Sequence, residues 1–284
     1  MSGRTVYLRR IAAKGIGNRY PNTALLEAAT KRYKAHIMAI QGVSGARTQK
    51  RTKRRKKRNW FGWLTPILWF LAFLAAAVLL SIIAFRFINP PFTPVMVAEK
   101  LRGATLRRQW VPIEEMSPHL PVAVIAAEDG RFCRHWGVDW SAVREVVRQG
   151  GGLGSFRGAS TIPMQTAKNL YLWSGRSYLR KALEVPLAYT MSTLWPKKRM
   201  MEVYLNIAQL GPGVFGVEAA SRYYFKKRAA DLTRHEAVLL AATLPNPHVR
   251  NPAKPSRHVR VVAKRIERRV PYMTSRAACV SPPR

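Results

Sequence analysis

The chain has 284 residues, 49 of them Lys or Arg and 14 Asp or Glu, for a net charge of +35. A hydrophobic share of 48% excludes a disordered chain, and two cysteines are too few for a disulfide scaffold. So basic a composition points to anionic partners: nucleic acid, a membrane surface or a phosphorylated substrate.

The distribution of charge decides among them. Residues 1–59 hold 17 Lys+Arg and one acid, Glu27, with the densest run at Lys50–Arg58. No charged residue then occurs in the 26 positions from Trp60 to Phe85. As a helix this stretch spans about 39 Å, against a hydrocarbon core of ~30 Å. Trp60, Trp63 and Trp69 at one end and Phe85 and Phe87 at the other suit interfacial anchors. The basic head and the apolar stretch are both too long for a cleaved signal peptide, so 60–85 reads as an uncleaved transmembrane helix. The basic flank puts residues 1–59 in the cytoplasm and the rest of the chain outside. Nucleic acid becomes a poor partner for the main domain, and none is expected. The tail itself reads as a topology signal that also meets anionic lipid.

Beyond residue 59 the chain still carries 32 Lys+Arg against 13 acids. That excess is too large and too widespread for topology signalling, so the exported domain is expected to work against something anionic. Cys133 and Cys279 would share an oxidising compartment. They lie far apart in sequence, and Cys279 sits in a Pro-rich tail, so no disulfide is expected.

After the stiff linker 89–94, the pattern is helical and strand alternation is scarce. One helix begins near Val122 and runs towards Glu128. Asp139 is expected to cap a second over 140–147. A glycine-rich break at 150–155 follows. Ser160 is expected to cap a helix over 161–172, with Pro163 tolerated in its first turn. Further helices are predicted at 177–194, 197–209 and 215–225. In 197–209 Met201, Tyr204, Leu205 and Ala208 form a core-facing stripe. Thr233 and Glu236 form a capping box ahead of an apolar run that Pro245 stops.

Most acids of the domain have ordinary readings. Asp139 and Glu236 cap helices, Glu114 and Glu115 lie in a polar approach segment, and Glu267 sits in a basic tail. Glu202 and Glu218 read as surface residues with partners one turn away. Two acids stand out. Glu128 ends an apolar helix, where desolvation raises proton affinity as a general base requires. Glu184 shares a helical face with Arg176 and Arg180, with Lys181 adjacent; by spacing alone, surface ion pairs are the favoured reading. Thr161, Gln165 and Lys168 line one face of their helix, and Lys168 with Arg176, Arg180 and Lys181 can form a pocket for a diphosphate. There is no nucleotide-binding glycine loop and no metal-spaced histidine pair. His135 reads as structural.

These residues fall in longer motifs. Residues 128–139 (EDGRFCRHWGVD), 157–169 (RGASTIPMQTAKN), 180–184 (RKALE), 198–206 (KRMMEVYLN) and 213–220 (GVFGVEAA) resemble, in order and spacing, five motifs of the peptidoglycan glycosyltransferases. The nearest likeness is to their monofunctional biosynthetic type. The resemblance implies a mainly α, lysozyme-like glycosyltransferase domain over 86–272, with 273–284 as a C-terminal tail. It implies polymerisation of lipid II into β-1,4-linked strands, with release of undecaprenyl diphosphate. Glu128 and Glu184 would be catalytic; Ser160, Thr161, Gln165, Lys168, Asn169, Arg176, Arg180 and Lys181 would bind substrate. No cofactor is required, and a divalent cation such as Mg is optional where Lys and Arg take its place. The implied setting is the bacterial inner membrane, with the catalytic domain periplasmic. Implied partners are lipid II, the lipid-linked strand and other cell-wall synthesis or division proteins. No Ser-x-x-Lys occurs in the sequence, so no penicillin-sensitive cross-linking is expected.

Three positions depart from the family pattern: Met164, where Gln is usual, Ser192 and Pro196. At Met164 one substrate hydrogen bond is expected to be lost. Two other readings remain open from the residues. A lytic hydrolase would use a similar fold, but it needs an acid for a sugar leaving group rather than cations for a diphosphate. A basic membrane scaffold explains the charge and leaves the ordered acids without a role.

Overall fold

A computed structural model describes residues 23–45, 63–149, 159–173, 175 and 177–280. The expected break at 150–155 and the basic run at 50–58 lie outside them. The chain divides into two units, Met1–Gly62 and Trp63–Arg284. In the first, α1 (Thr23–Gly45) is a helix whose described side chains are exposed.

The second unit opens with α2 (Leu64–Phe85), the one described helix long and apolar enough to cross a membrane. Its 22 residues reach about 33 Å at ~1.5 Å per residue. All but its last turns are exposed, as lipid contact requires. Those last turns are docked on the domain that follows. Trp195 Nε1 donates to the Ile82 carbonyl at 2.7 Å, Arg86 to the Leu194 carbonyl at 2.6 Å, and Arg199 to the carbonyls of Phe85 and Ile88.

The domain is built of short helices: α3 (Pro94–Leu101), α4 (His119–Glu128), α5 (Trp140–Arg148), α6 (Ile162–Tyr171), α7 (Tyr178–Leu194), α8 (Lys197–Ile207), α9 (Val217–Phe225), α10 (Arg234–Thr243) and α11 (Arg257–Met273). Helix α4 is the axis of the core. Every residue from Leu120 to Ala126 is buried, and α10 and α11 pack around it. A helix apolar on all sides belongs inside, as here. Helix α6 packs against α7 and α8. The Thr233–Glu236 capping box forms with both of its reciprocal bonds, and Asp139 caps α5 through the amides of Ser141 and Ala142.

Several expectations are corrected. Thr161, not Ser160, caps α6: its hydroxyl accepts from the Met164 amide. The helix expected to reach 209 ends at Ile207, and the one expected from 215 starts at Val217, because a small sheet intervenes. Strand β1 (Arg107–Arg108) pairs in parallel with β3 (Val214–Phe215), which pairs antiparallel with β2 (Gln209–Gly211). Gly213 and Gly216, at positive φ, make the turns.

Gly216 adopts φ 82° and ψ 156°, and a Cβ there would stand 2.7 Å from the Asn206 carbonyl oxygen. We expect Gly216→Ala to destabilise the fold by about 1–3 kcal/mol, the cost of that backbone region for a non-glycine residue. Thermal unfolding followed by circular dichroism checks this; an unchanged midpoint would contradict it.

Glu202 is part-buried and Glu218 buried, although each keeps a partner one turn away, Arg199 and Arg222. Glu218 is buried and accepts from the Ala229 amide at 2.7 Å, and Glu202 accepts from the Ile113 amide at 3.2 Å. Each satisfies a backbone donor that packing has removed from water. The segment after 272, expected as a tail, belongs to the same core through Ala277 and Val280.

Cys133 and Cys279 form a disulfide, contrary to expectation. Helix α11 packs against α4, and the turn after it meets the 3-10 turn Phe132–Arg134, so the two Cα atoms come within 5.8 Å.

Candidate active site

The end of α4 delivers two adjacent acids with opposite duties. Asp129 turns inward. Its carboxylate accepts from His135 Nε2 at 2.9 Å and from the Ile162 amide at 3.0 Å, tying the loop after α4 to the first turn of α6. His135 is thus structural, as the sequence suggests.

Glu128 turns towards solvent but is only partly exposed. Its Oε2 accepts from Gln165 Nε2 at 2.8 Å. Gln165 is in turn oriented by Tyr204, whose hydroxyl donates to Gln165 Oε1 at 2.9 Å. Tyr204 is fully buried, and burial pushes its phenol well above its ordinary range, so it stays a donor. Burial also raises the proton affinity of Glu128. The Gln165 bond and the charges of Lys168 and Arg250 oppose that rise, and neighbouring Asp129 adds to it.

Glu184, on α7, is 3% exposed and takes both carboxylate bonds from its own helix. Arg180 Nη1 donates to Oε1, and Lys181 Nζ donates to Oε2 at 2.8 Å. Lys181 also reaches Ser160 Oγ at 2.7 Å. A buried carboxylate thereby fixes two cations, and through one of them the start of α6. Lys168 lies in the fields of both Glu184 and Glu128; burial lowers its proton affinity, and the two carboxylates restore part of it. Arg176 lies outside the described residues.

Two cavities flank the Glu128–Gln165 bond. The smaller, about 390 Å³, is lined by Gln165, Lys168, Asn169, Arg180 and Tyr204. The larger, about 620 Å³, is lined by Glu128, Ser160 and Thr161 together with arginines from the C-terminal part. The sequence-predicted residues that are described therefore gather around one bond, with cations on one side and Glu128 open to the other. Thr161 is the exception. Its hydroxyl donates to the Gly137 carbonyl and accepts the Met164 amide, so it shapes the wall and offers no free group. Met164 is packed with Val138 and Ala188 and lines neither cavity. Among the described residues no group of three His, Cys, Asp or Glu could hold a metal ion.

A sequence model of the transglycosylase family matches residues 95–274, which include Glu128, Gln165, Lys168, Glu184 and Tyr204. The chain belongs to the transglycosylase family. Among similar proteins are the biosynthetic peptidoglycan transglycosylases of Brucella suis, 52% identical over 200 residues (69% of this chain, 89% of that protein), and of Agrobacterium fabrum, 49% identical over 202 residues (71% and 89%). That of Rhodospirillum centenum is 45% identical over 216 residues, 75% of this chain and 94% of the relative. The mainly helical domain behind an apolar N-terminal helix is therefore a transglycosylase domain.

Sequence reasoning missed the parts of this transglycosylase site that act through other residues. Tyr204 reads in sequence only as a member of a core stripe, yet a buried tyrosine hydroxyl needs a partner, and that partner is Gln165. Lys197 was also passed over. Its Nζ donates to the His135 carbonyl and lies 4.7 Å from the centre of the Phe132 ring, and burial lowers its proton affinity to about 8.

Proposed function

We propose that this transglycosylase polymerises lipid II, with Glu128 as general base. The Glu128–Gln165–Tyr204 chain supports this reading most strongly, because it holds a half-buried carboxylate at the boundary between two cavities. The acceptor lipid II lies in the larger cavity, with its GlcNAc 4-hydroxyl at Glu128. The lipid-linked strand, as donor, has its diphosphate at Lys168, Arg180, Lys181 and Arg176.

As the 4-hydroxyl oxygen bonds to the anomeric carbon of the donor MurNAc, its proton passes to Glu128. The bond from that carbon to the diphosphate oxygen breaks on the opposite face, and undecaprenyl diphosphate leaves with the electron pair. Attack opposite the leaving group inverts the α-linked centre to a β-1,4 link. The leaving group gains negative charge, and fixed cations stabilise charge that develops in the transition state. Glu184 holds those cations in place. Ser160, Gln165 and Asn169 complete the polar lining. The reading is of strand synthesis without cross-linking. The test is digestion of the polymer by a muramidase specific for β-1,4 links: disaccharide units as product support the mechanism, and a resistant polymer contradicts it.

Residues 1–59 are proposed to lie in the cytoplasm and the domain in the periplasm, across the bacterial inner membrane. Two observations support this: the basic excess preceding α2 and a disulfide in the domain, which suits an oxidising compartment. Exposed Phe87, Phe92, Val97 and Leu101 beside the end of α2 suit contact with the bilayer from which a polyprenyl substrate enters.

A pH dependence follows from the base. Only ionised Glu128 accepts the proton, so activity falls as pH drops through its raised pKa, above the ordinary glutamate value of about 4.3. The Gln165 bond favours the ionised form. Gln165→Leu is expected to move the acid limb of kcat/KM to higher pH, and an unmoved or lowered limb would contradict this account.

A further inference from the structure

The larger cavity is lined by three arginines, Arg131, Arg269 and Arg276, alongside four acids, Glu128, Asp129, Asp139 and Glu145. On the side of Gly130 its wall is formed by α11 and the turn after it, from which Arg269 and Arg276 contribute. Both side chains are exposed, and among the described residues neither makes a hydrogen bond, an ion pair or a ring contact. Arg269 lies close over the loop that follows Glu128: a Cβ built at Gly130 would stand 3.1 Å from its Nη2. Arg131 of the same cavity is already drawn to Asp139, at 3.6 Å.

The segment that bears Arg276 is held where it is. Cys279, three residues on, is bonded to Cys133 in the turn after the base, and Ala277 and Val280 are buried beside it. Two unpaired guanidiniums therefore line the same cavity as Glu128.

A guanidinium presents a planar fork that matches a carboxylate. We propose that Arg269 and Arg276 bind free carboxylates of the peptide carried by the sugar substrate in the acceptor position. The proposal rests on the transferase reading and names a further recognition element of that site. Asp129, Asp139 and Glu145 line the same cavity, so a compact, multiply charged diphosphate meets more repulsion there than carboxylates spaced along a peptide. The diphosphate of the donor also has its own cations across the Glu128–Gln165 bond.

The probe is the soluble disaccharide-pentapeptide, which has neither lipid nor phosphate, titrated into the full chain in detergent beside the same compound with its carboxylates amidated. The acid form is expected to bind about ten-fold more tightly, the worth of one charge-assisted pair. Arg269→Gln with Arg276→Gln should abolish that advantage with an unchanged thermal midpoint, since both residues are exposed. Equal binding of the two forms, no binding of either, or an advantage that survives the double substitution would overturn the proposal. A second arm separates the anion sources. If the double variant loses activity equally on lipid-linked disaccharide with and without its peptide, the arginines serve the diphosphate and the proposal fails. Should the wild type bind the acid form selectively yet polymerise nothing, the transferase reading falls and the carboxylate site stands.

Discussion

Glu128→Gln is expected to lower kcat for lipid II polymerisation by about 10²–10⁴-fold, the usual contribution of a positioned general base. The substitution is close to isosteric and keeps an acceptor for the Gln165 amide at 2.8 Å, so the loop geometry should survive. What it removes is the ability to take a proton. KM should change little, because the wild-type carboxylate acts on the hydroxyl only as the new bond forms. Burial raises proton affinity at this position, so relieving it of charge should also leave stability equal or slightly improved. A mutant that is inactive and as stable as the wild type separates this role from a structural one. A loss of activity that merely tracked unfolding would count against it.

Glu184→Gln is expected to produce a different pattern, with stability and rate falling together. Its side chain is 3% exposed and pairs with Arg180 and Lys181, themselves 12% and 17% exposed. Breaking a buried pair from one side costs about 3–5 kcal/mol, because the remaining charges keep their desolvation penalty. The lower end applies here, since both cations border solvent. The rate should fall by about 10²–10³-fold, as when a preorganised stabilising group is lost, because Arg180 and Lys181 would lose the carboxylate that fixes them at the proposed diphosphate site. Thermal unfolding and undecaprenyl diphosphate release, measured on the same preparation, give both quantities. A stable Glu184→Gln variant with normal release would remove Glu184 from the mechanism.

The two carboxylates were legible in the sequence because each sits on a local pattern: Glu128 at the end of an apolar run, Glu184 one helical turn from Arg180. The same holds for the Asp139 cap, the Thr233–Glu236 box and the apolar stretch before Arg86. The caps and helical pairs need only 3–5 neighbouring positions, and the apolar stretch is one continuous run. Groups whose partners lie far along the chain were not legible. Nothing near Tyr204 announces Gln165, and nothing near Glu218 announces the Ala229 amide. The pairing of Cys133 with Cys279 depends on α11 packing against α4, a fact of packing that spacing cannot express. The cap at Thr161 differs from expectation by one residue for a local reason. Ser160 and Thr161 are both competent caps, and Ser160 is taken by Lys181 from another helix.

The central claim is that a half-buried carboxylate on α4 removes the proton that allows one lipid-linked sugar to displace the diphosphate of another. It is tested most directly by incubating the detergent-solubilised full chain with lipid II and measuring undecaprenyl diphosphate released per disaccharide joined, wild type beside Glu128→Gln. The account predicts one released diphosphate for each link made by the wild type, and neither product from the folded variant. Comparable polymer from both proteins would contradict it.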